Sequence, residues 1–177
     1  MRLILPSLIF LFIFNGCTRD DFTWNIKKRP CHISFGTYTN DYFMKVTLAN
    51  MNNETQGSGP ANFYENKPII LKRGNNYSLN VKFSLFSEAE YATAFAYFDW
   101  NGDGDFLDSE ESVLLSNDIN LKDVNITIAV PSSANLSKTY ARFILQSGYY
   151  PIGGNDPCFS YVSRGEVEDY PLEIIQE

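Results

Sequence analysis

Alternation with a period of two runs through the chain from about residue 40 onward. Tyr42, Met44, Val46 and Leu48 alternate with Phe43, Lys45 and Thr47. Tyr77, Leu79, Val81, Phe83 and Leu85 alternate with Ser78, Asn80, Lys82 and Ser84, and Val124, Ile126, Ile128 and Val130 alternate with Asn125, Thr127 and Ala129 before Pro131 ends the run. Successive strand side chains point to opposite faces, so each pattern predicts a strand with one face on a core and the other in water. Residues 69–71, the aromatic run 95–100, and residues 140–146 and 170–175 add further strands. Arg73-Gly74-Asn75-Asn76 reads as a hairpin joining 69–71 to the strand from Tyr77, and the Gly- and Asn-rich stretch 50–66 reads as a loop. No segment sustains a helical period. Many short strands without helical crossovers predict an all-β chain, an antiparallel β-sandwich of jelly-roll or immunoglobulin-like type, as one domain over residues 31–177.

The first residues depart from this pattern. Arg2 is followed by an almost unbroken apolar run to Phe14, too short to span a membrane, and Cys17 follows Gly16. A charged start, an apolar stretch and a small residue before Cys predict a lipoprotein signal peptide over residues 1–17, with Cys17 lipidated; plain secretion is the alternative. Residues 18–30 are polar and charged, a tether between anchor and domain. The chain is therefore expected in the cell envelope, anchored by lipid to the outer membrane. With Cys17 taken by lipid, Cys31 and Cys158 remain as an even pair in an oxidising compartment, where a disulfide is expected and two free buried thiols are the alternative.

Charge narrows the partners. Twenty-one acidic against fourteen basic residues give a net charge of −7, which argues against nucleic acid and favours cations. Residues 99–111, DWNGDGDFLDSEE, hold six carboxylates and an Asn in thirteen positions. Asp99, Asn101, Asp103, Gly104 and Glu110 fit the spacing at which alternate side-chain oxygens surround one Ca²⁺, with Gly allowing the sharp turn. Asp105 adds a ligand, and Asp108 and Glu111 stand in reserve. The strand-like flanks argue against helices on either side, so the loop is EF-hand-like in ligand spacing alone.

Catalysis finds little support. His32, the single histidine, lies beside Cys31, a poor member for a Ser-His-Asp arrangement, and no carboxylate pair is placed across a sugar cleft. The expectation is a non-enzymatic surface module whose partner is a surface protein or a glycan. Tyr149, Tyr150, Phe159 and Tyr161 form an aromatic cluster that could stack on sugars.

Near the end of the sequence comes Gly165-Glu166-Val167-Glu168-Asp169-Tyr170, and this GEVEDY resembles the signature of the GEVED domain, a module of secreted and surface proteins. Cys31, FDWNGDGDFLDSEE, Val130-Pro131, ARFIL and DPCFSY precede it in the family's order, so the resemblance spans roughly residues 31–175. It implies a β-sandwich, a disulfide from the first strand to the segment before the signature, and an acidic calcium-type loop. PCF stands for the more frequent PCG, and ARFIL carries one Arg where two are usual. Family members are commonly accessory modules of proteases, adhesins or other surface proteins. In an extended chain Glu166 and Glu168 share a face, positioned for a cation or for Arg142.

Overall fold

The computed structural model describes residues 30–36, 40–57, 61–85, 89–120, 122–148, 156–158, 161–162 and 164–176. Twelve strands are present: β1 (Ser34–Phe35), β2 (Tyr42–Leu48), β3 (Met51–Glu54), β4 (Ala61–Phe63), β5 (Ile69–Lys72), β6 (Asn76–Ser84), β7 (Tyr91–Phe98), β8 (Ser112–Ser116), β9 (Asp123–Ala129), β10 (Lys138–Gly148), β11 (Tyr161–Val162) and β12 (Gly165–Ile175). No helix occurs among the described residues. One sheet runs β3-β2-β6-β9. The other runs β4-β12-β10-β7-β8, with β5 continuing beside β12 beyond β4. The two sheets form a β-sandwich around Phe43, Val46, Leu79, Val81, Phe98, Phe143, Leu145 and Leu172, all essentially inaccessible. Val46, Leu79 and Val81 are inward positions of the period-two patterns, but in β2 a register shift between Phe43 and Lys45 turns Phe43 inward and leaves Met44 exposed, against the expected face.

The larger sheet is also covered on its outer face. Ile33, Tyr97, Phe106, Tyr140, Ile144, Cys158, Val162 and Val167 form a second cluster there, and β1 and β11 pair in parallel over it. This third layer explains why β10 and β12 are buried almost throughout, with no wet face to reveal their alternation.

Three expectations change. The sandwich is not wholly antiparallel: β4 and β5 both lie parallel to β12, and β1 lies parallel to β11. The predicted hairpin at 73–76 is a crossover, because β5 pairs with β12 while β6 pairs with β2 and β9 in the other sheet. Gly74, at φ 80°, turns the chain between layers, and its N–H donates to Val130 O at 3.1 Å. Inside the 50–66 stretch lie β3 and β4. Leu48 pairs with Met51 across a two-residue turn, and β3 buries Met51 and Asn53 in alternation. Its inward Asn makes that strand look like a loop.

Candidate functional site

The acidic loop leaves β7 at Phe98 and returns as β8 at Ser112, and its strands pair antiparallel. Asp99 is buried and serves as the loop's post. Its Oδ1 accepts from the backbone N–H of Gly102 at 2.7 Å and Asp103 at 3.1 Å; its Oδ2 accepts from Gly104 N at 3.0 Å and from the Thr139 hydroxyl. Gly102 and Gly104 have φ of 76° and 90°, which residues with a Cβ avoid, so both glycines belong to the turn. A ladder follows, in which each side chain accepts the N–H two residues on: Asn101 from Asp103 at 2.8 Å, Asp103 from Asp105 at 3.0 Å and Asp105 from Leu107 at 3.0 Å. These successive turns gather Asp103, Asp105 and Asp108 until their carboxylate oxygens lie within 4.8 Å of one another. Asn101 Nδ2 donates to Asp103 at 3.0 Å and to Asp108 at 2.6 Å.

Asp99, Glu110 and Glu111 stand outside this trio. Glu110 is exposed, at φ 73°, and its carbonyl accepts from Trp100 Nε1 at 3.0 Å. Glu111 is turned inward, accepting from Trp100 N at 2.9 Å and Asp108 N at 3.3 Å. Burial pushes the Glu111 carboxyl up to about 7, with the charges of Asp99 and Asp108 adding to it, and burial raises Asp99 as well, opposed by its Thr139 and glycine N–H bonds. In both, the loss of water on burial outweighs the donors that face the carboxylate.

The signature strand does different work on each face. Glu166, Glu168 and Tyr170 point between the sheets. Glu166 accepts from Phe43 N and from Asn62 Nδ2, both at 2.6 Å, joining β12 to the opposite sheet and to β4. Glu168 accepts from the Tyr64 hydroxyl at 3.1 Å and the Tyr170 hydroxyl at 2.6 Å, while Asn53 donates to Tyr170 O–H at 2.7 Å and Lys67 donates to Asn53. Burial and then the Glu166 charge lift the Glu168 carboxyl to about 8. Asp169 points outward and takes Arg142 in a two-point ion pair, Nε at 2.7 Å and Nη2 at 2.8 Å. Burial raises the Asp169 carboxyl and Arg142 opposes that rise; the fork geometry holds the pair ionised. Arg142 Nη1 donates to Pro157 O at 2.6 Å, and its guanidinium lies 5.3 Å from the Phe106 ring.

Arg142 thus pairs with Asp169 and not with Glu166 or Glu168, a correction to the expected arrangement. The face assignment from strand parity holds, and the Arg lies on the other face. Neither glutamate joins the loop trio. Cys31 and Cys158 form the disulfide. His32 is exposed beside it. Of the four aromatics, Tyr161 is 62% exposed; Tyr149, Tyr150 and Phe159 lie outside the described residues, as do Cys17, the signal segment and tether residues 18–29. Sequence reasoning missed Thr139, Asn53, Tyr64 and Lys67 as supports. Only Thr139 carried a signal, a hydroxyl at the start of a buried strand.

No curated protein matches the chain. Residues 93–173, from β7 through the acidic loop and most of the signature strand, match the family model of the GEVED domain, in support of the resemblance that the GEVEDY segment carries.

Proposed function

We propose that this protein is a non-catalytic, calcium-binding module of the cell surface with an adhesion or accessory protein-interaction role, exported and held at the outer membrane by lipid on Cys17. The observation that carries the calcium reading is the oxygen-only trio Asp103, Asp105 and Asp108, gathered within 4.8 Å on a backbone already folded by Asp99. A hard divalent cation that accepts six to eight oxygens fits this donor set, whereas zinc favours His and Cys. Asn101 supplies a further oxygen, and Glu110 on the exposed return is placed to turn toward an ion. The buried carboxylates support a structural role, since Asp99, Glu111, Glu166 and Asp169 are each engaged by backbone or side-chain donors.

Because Ca²⁺ would bind the folded loop and not the unfolded chain, calcium at about a hundred times its dissociation constant should add about 2.7 kcal/mol of stability. Melting curves of the full chain with calcium and with chelator measure this. Asp103→Ala should remove most of the increment, whereas Glu168→Ala, which lies outside the trio, should lower stability equally in both conditions. Superimposable wild-type curves, with no heat of calcium binding in calorimetry, would reduce the loop to an acidic turn.

A further inference from the structure

A cavity of about 260 Å³ opens on the outer face of the larger sheet, away from the acidic loop's carboxylate trio. It lies between the segment 30–33 and β4. The parallel register sets Ala61 beside Val167 and Phe63 beside Asp169, so these residues share a face, and the cavity is lined by Ile33, Ala61, Phe63, Arg142, Val167 and Asp169. Its buried polar component is the Arg142–Asp169 ion pair, whose members are 3% and 6% exposed, and His32 and Asn62 also line it. Phe63 is 39% exposed and fixed edge-on against Tyr140 at 5.5 Å.

These features select a ligand chemistry. Arg142 is already neutralised by Asp169, and the chain carries a net charge of −7, so an anion gains little here. A wholly apolar ligand would dry the ion pair further without offering it a hydrogen bond, which is costly. Each Asp169 oxygen takes one N–H from Arg142 and has a further lone pair, so a group that donates and accepts at once, a hydroxyl, suits this wall. The exposed phenyl ring of Phe63 suits the C–H face of a ring. The volume lies just below the range of drug-sized sites, enough for one ring. We propose that this cavity binds a single neutral pyranose sugar, free or at the end of a glycan, by stacking on Phe63 and hydrogen bonding to the Arg142–Asp169 pair.

The test is saturation-transfer NMR on the full chain in detergent micelles, with glucose, galactose, mannose, N-acetylglucosamine and glucuronate, in calcium and in chelator. At least one neutral sugar should bind in the millimolar range, as expected for so small a ligand, and equally in both conditions, which separates the outcome from the calcium reading. Phe63→Ala should weaken it at least about 5-fold, the order of a lost ring contact. Ala61→Trp, which fills the cavity from an exposed position, should abolish it, and both variants should keep the wild-type strand signal in circular dichroism and a cooperative melt. Immobilised glycans ending in the same sugar then separate the two sources: capture identifies the glycan end as the ligand, and failure to capture identifies the free sugar. Silence from every neutral sugar, glucuronate binding as tightly as the best of them, or binding unchanged in both variants would overturn the proposal.

Discussion

Six carboxylates are buried among the described residues, those of Asp41, Asp99, Glu111, Glu166, Glu168 and Asp169. A buried carboxylate is tolerated when donors replace its water or when it takes a proton. Asp169 uses the first solution, through Arg142. Glu168 uses the second as well: two tyrosine hydroxyls reach it, but the neighbouring Glu166 charge and its burial lift its carboxyl to about 8. Its unfolded value lies near 4.5. A carboxyl raised in the folded state binds its proton more tightly there, so its stabilising contribution is full below about pH 4.5 and is lost as pH climbs through about 8. Glu111, raised to about 7, acts with the same sign. Denaturant midpoints measured in chelator should therefore fall between pH 5 and pH 9. Glu168→Gln, a permanent stand-in for the protonated form, should flatten much of that fall, with Glu111→Gln removing a further part. An unchanged slope in both variants would show that these groups are ionised in the fold across that range.

At the scale of elements, Gly165 accounts for the first letter of the signature. It pairs with Gln146 at the start of β12, at φ 128°, and a Cβ built there would lie 1.9 Å from the Leu145 carbonyl oxygen. No side chain relieves that contact, because the obstructing atom is backbone of the adjacent strand. Gly165→Ala should cost about 3 kcal/mol or more, read as a shifted denaturant midpoint, whereas Ala at Gly74, with open space around its Cβ position, should cost about 1 kcal/mol from its φ of 80° alone. Comparable losses at the two glycines would show that the β10–β12 contact yields. The contrast also marks what was legible in the sequence. β6 and β9 alternate cleanly because one face is wet, and their bounds follow from that, whereas a register shift in β2 breaks its alternation. β12 has three charges within its first half yet is buried, because its outer face is covered and its charges are met by tyrosines, an amide, a backbone N–H and an arginine. Apart from Tyr170, two residues on from Glu168, those partners come from β2, β10 and the segment of β4 and Tyr64, distant in sequence, so local pattern does not reveal them. The acidic loop was legible as a spacing, but the inward turn of Glu111 and the outward turn of Glu110 depend on the left-handed backbone at Glu110, which sequence does not announce.

Across the whole molecule, the Cys31–Cys158 disulfide binds the start of the domain to the segment before the signature over a separation of 127 residues. Both cysteines lie in the outer layer, Cys158 packed with Ile33, Ile144 and Val162 over the larger sheet. That layer has little secondary structure of its own, since β1 and β11 are two residues each, so hydrogen bonding alone holds it weakly. It nevertheless roofs Arg142, whose Nη1 donates to Pro157 O at 2.6 Å and lies 3.7 Å from Cys31 Sγ. Closing a loop of this size restricts the unfolded chain by about 5 kcal/mol in the entropic model, a large share of the stability of a domain. Cys31→Ser/Cys158→Ser should accordingly lower the unfolding free energy by several kcal/mol, and alkylation without reductant should leave both cysteines of the native domain unmodified. The two sheets share a core that excludes this layer, so the variant should retain the strand signal in circular dichroism and its calcium response while Arg142 loses its cover. A variant that unfolds within about 1 kcal/mol of the wild type would mean that the outer layer is held by Ile33, Val162 and their neighbours without the covalent link.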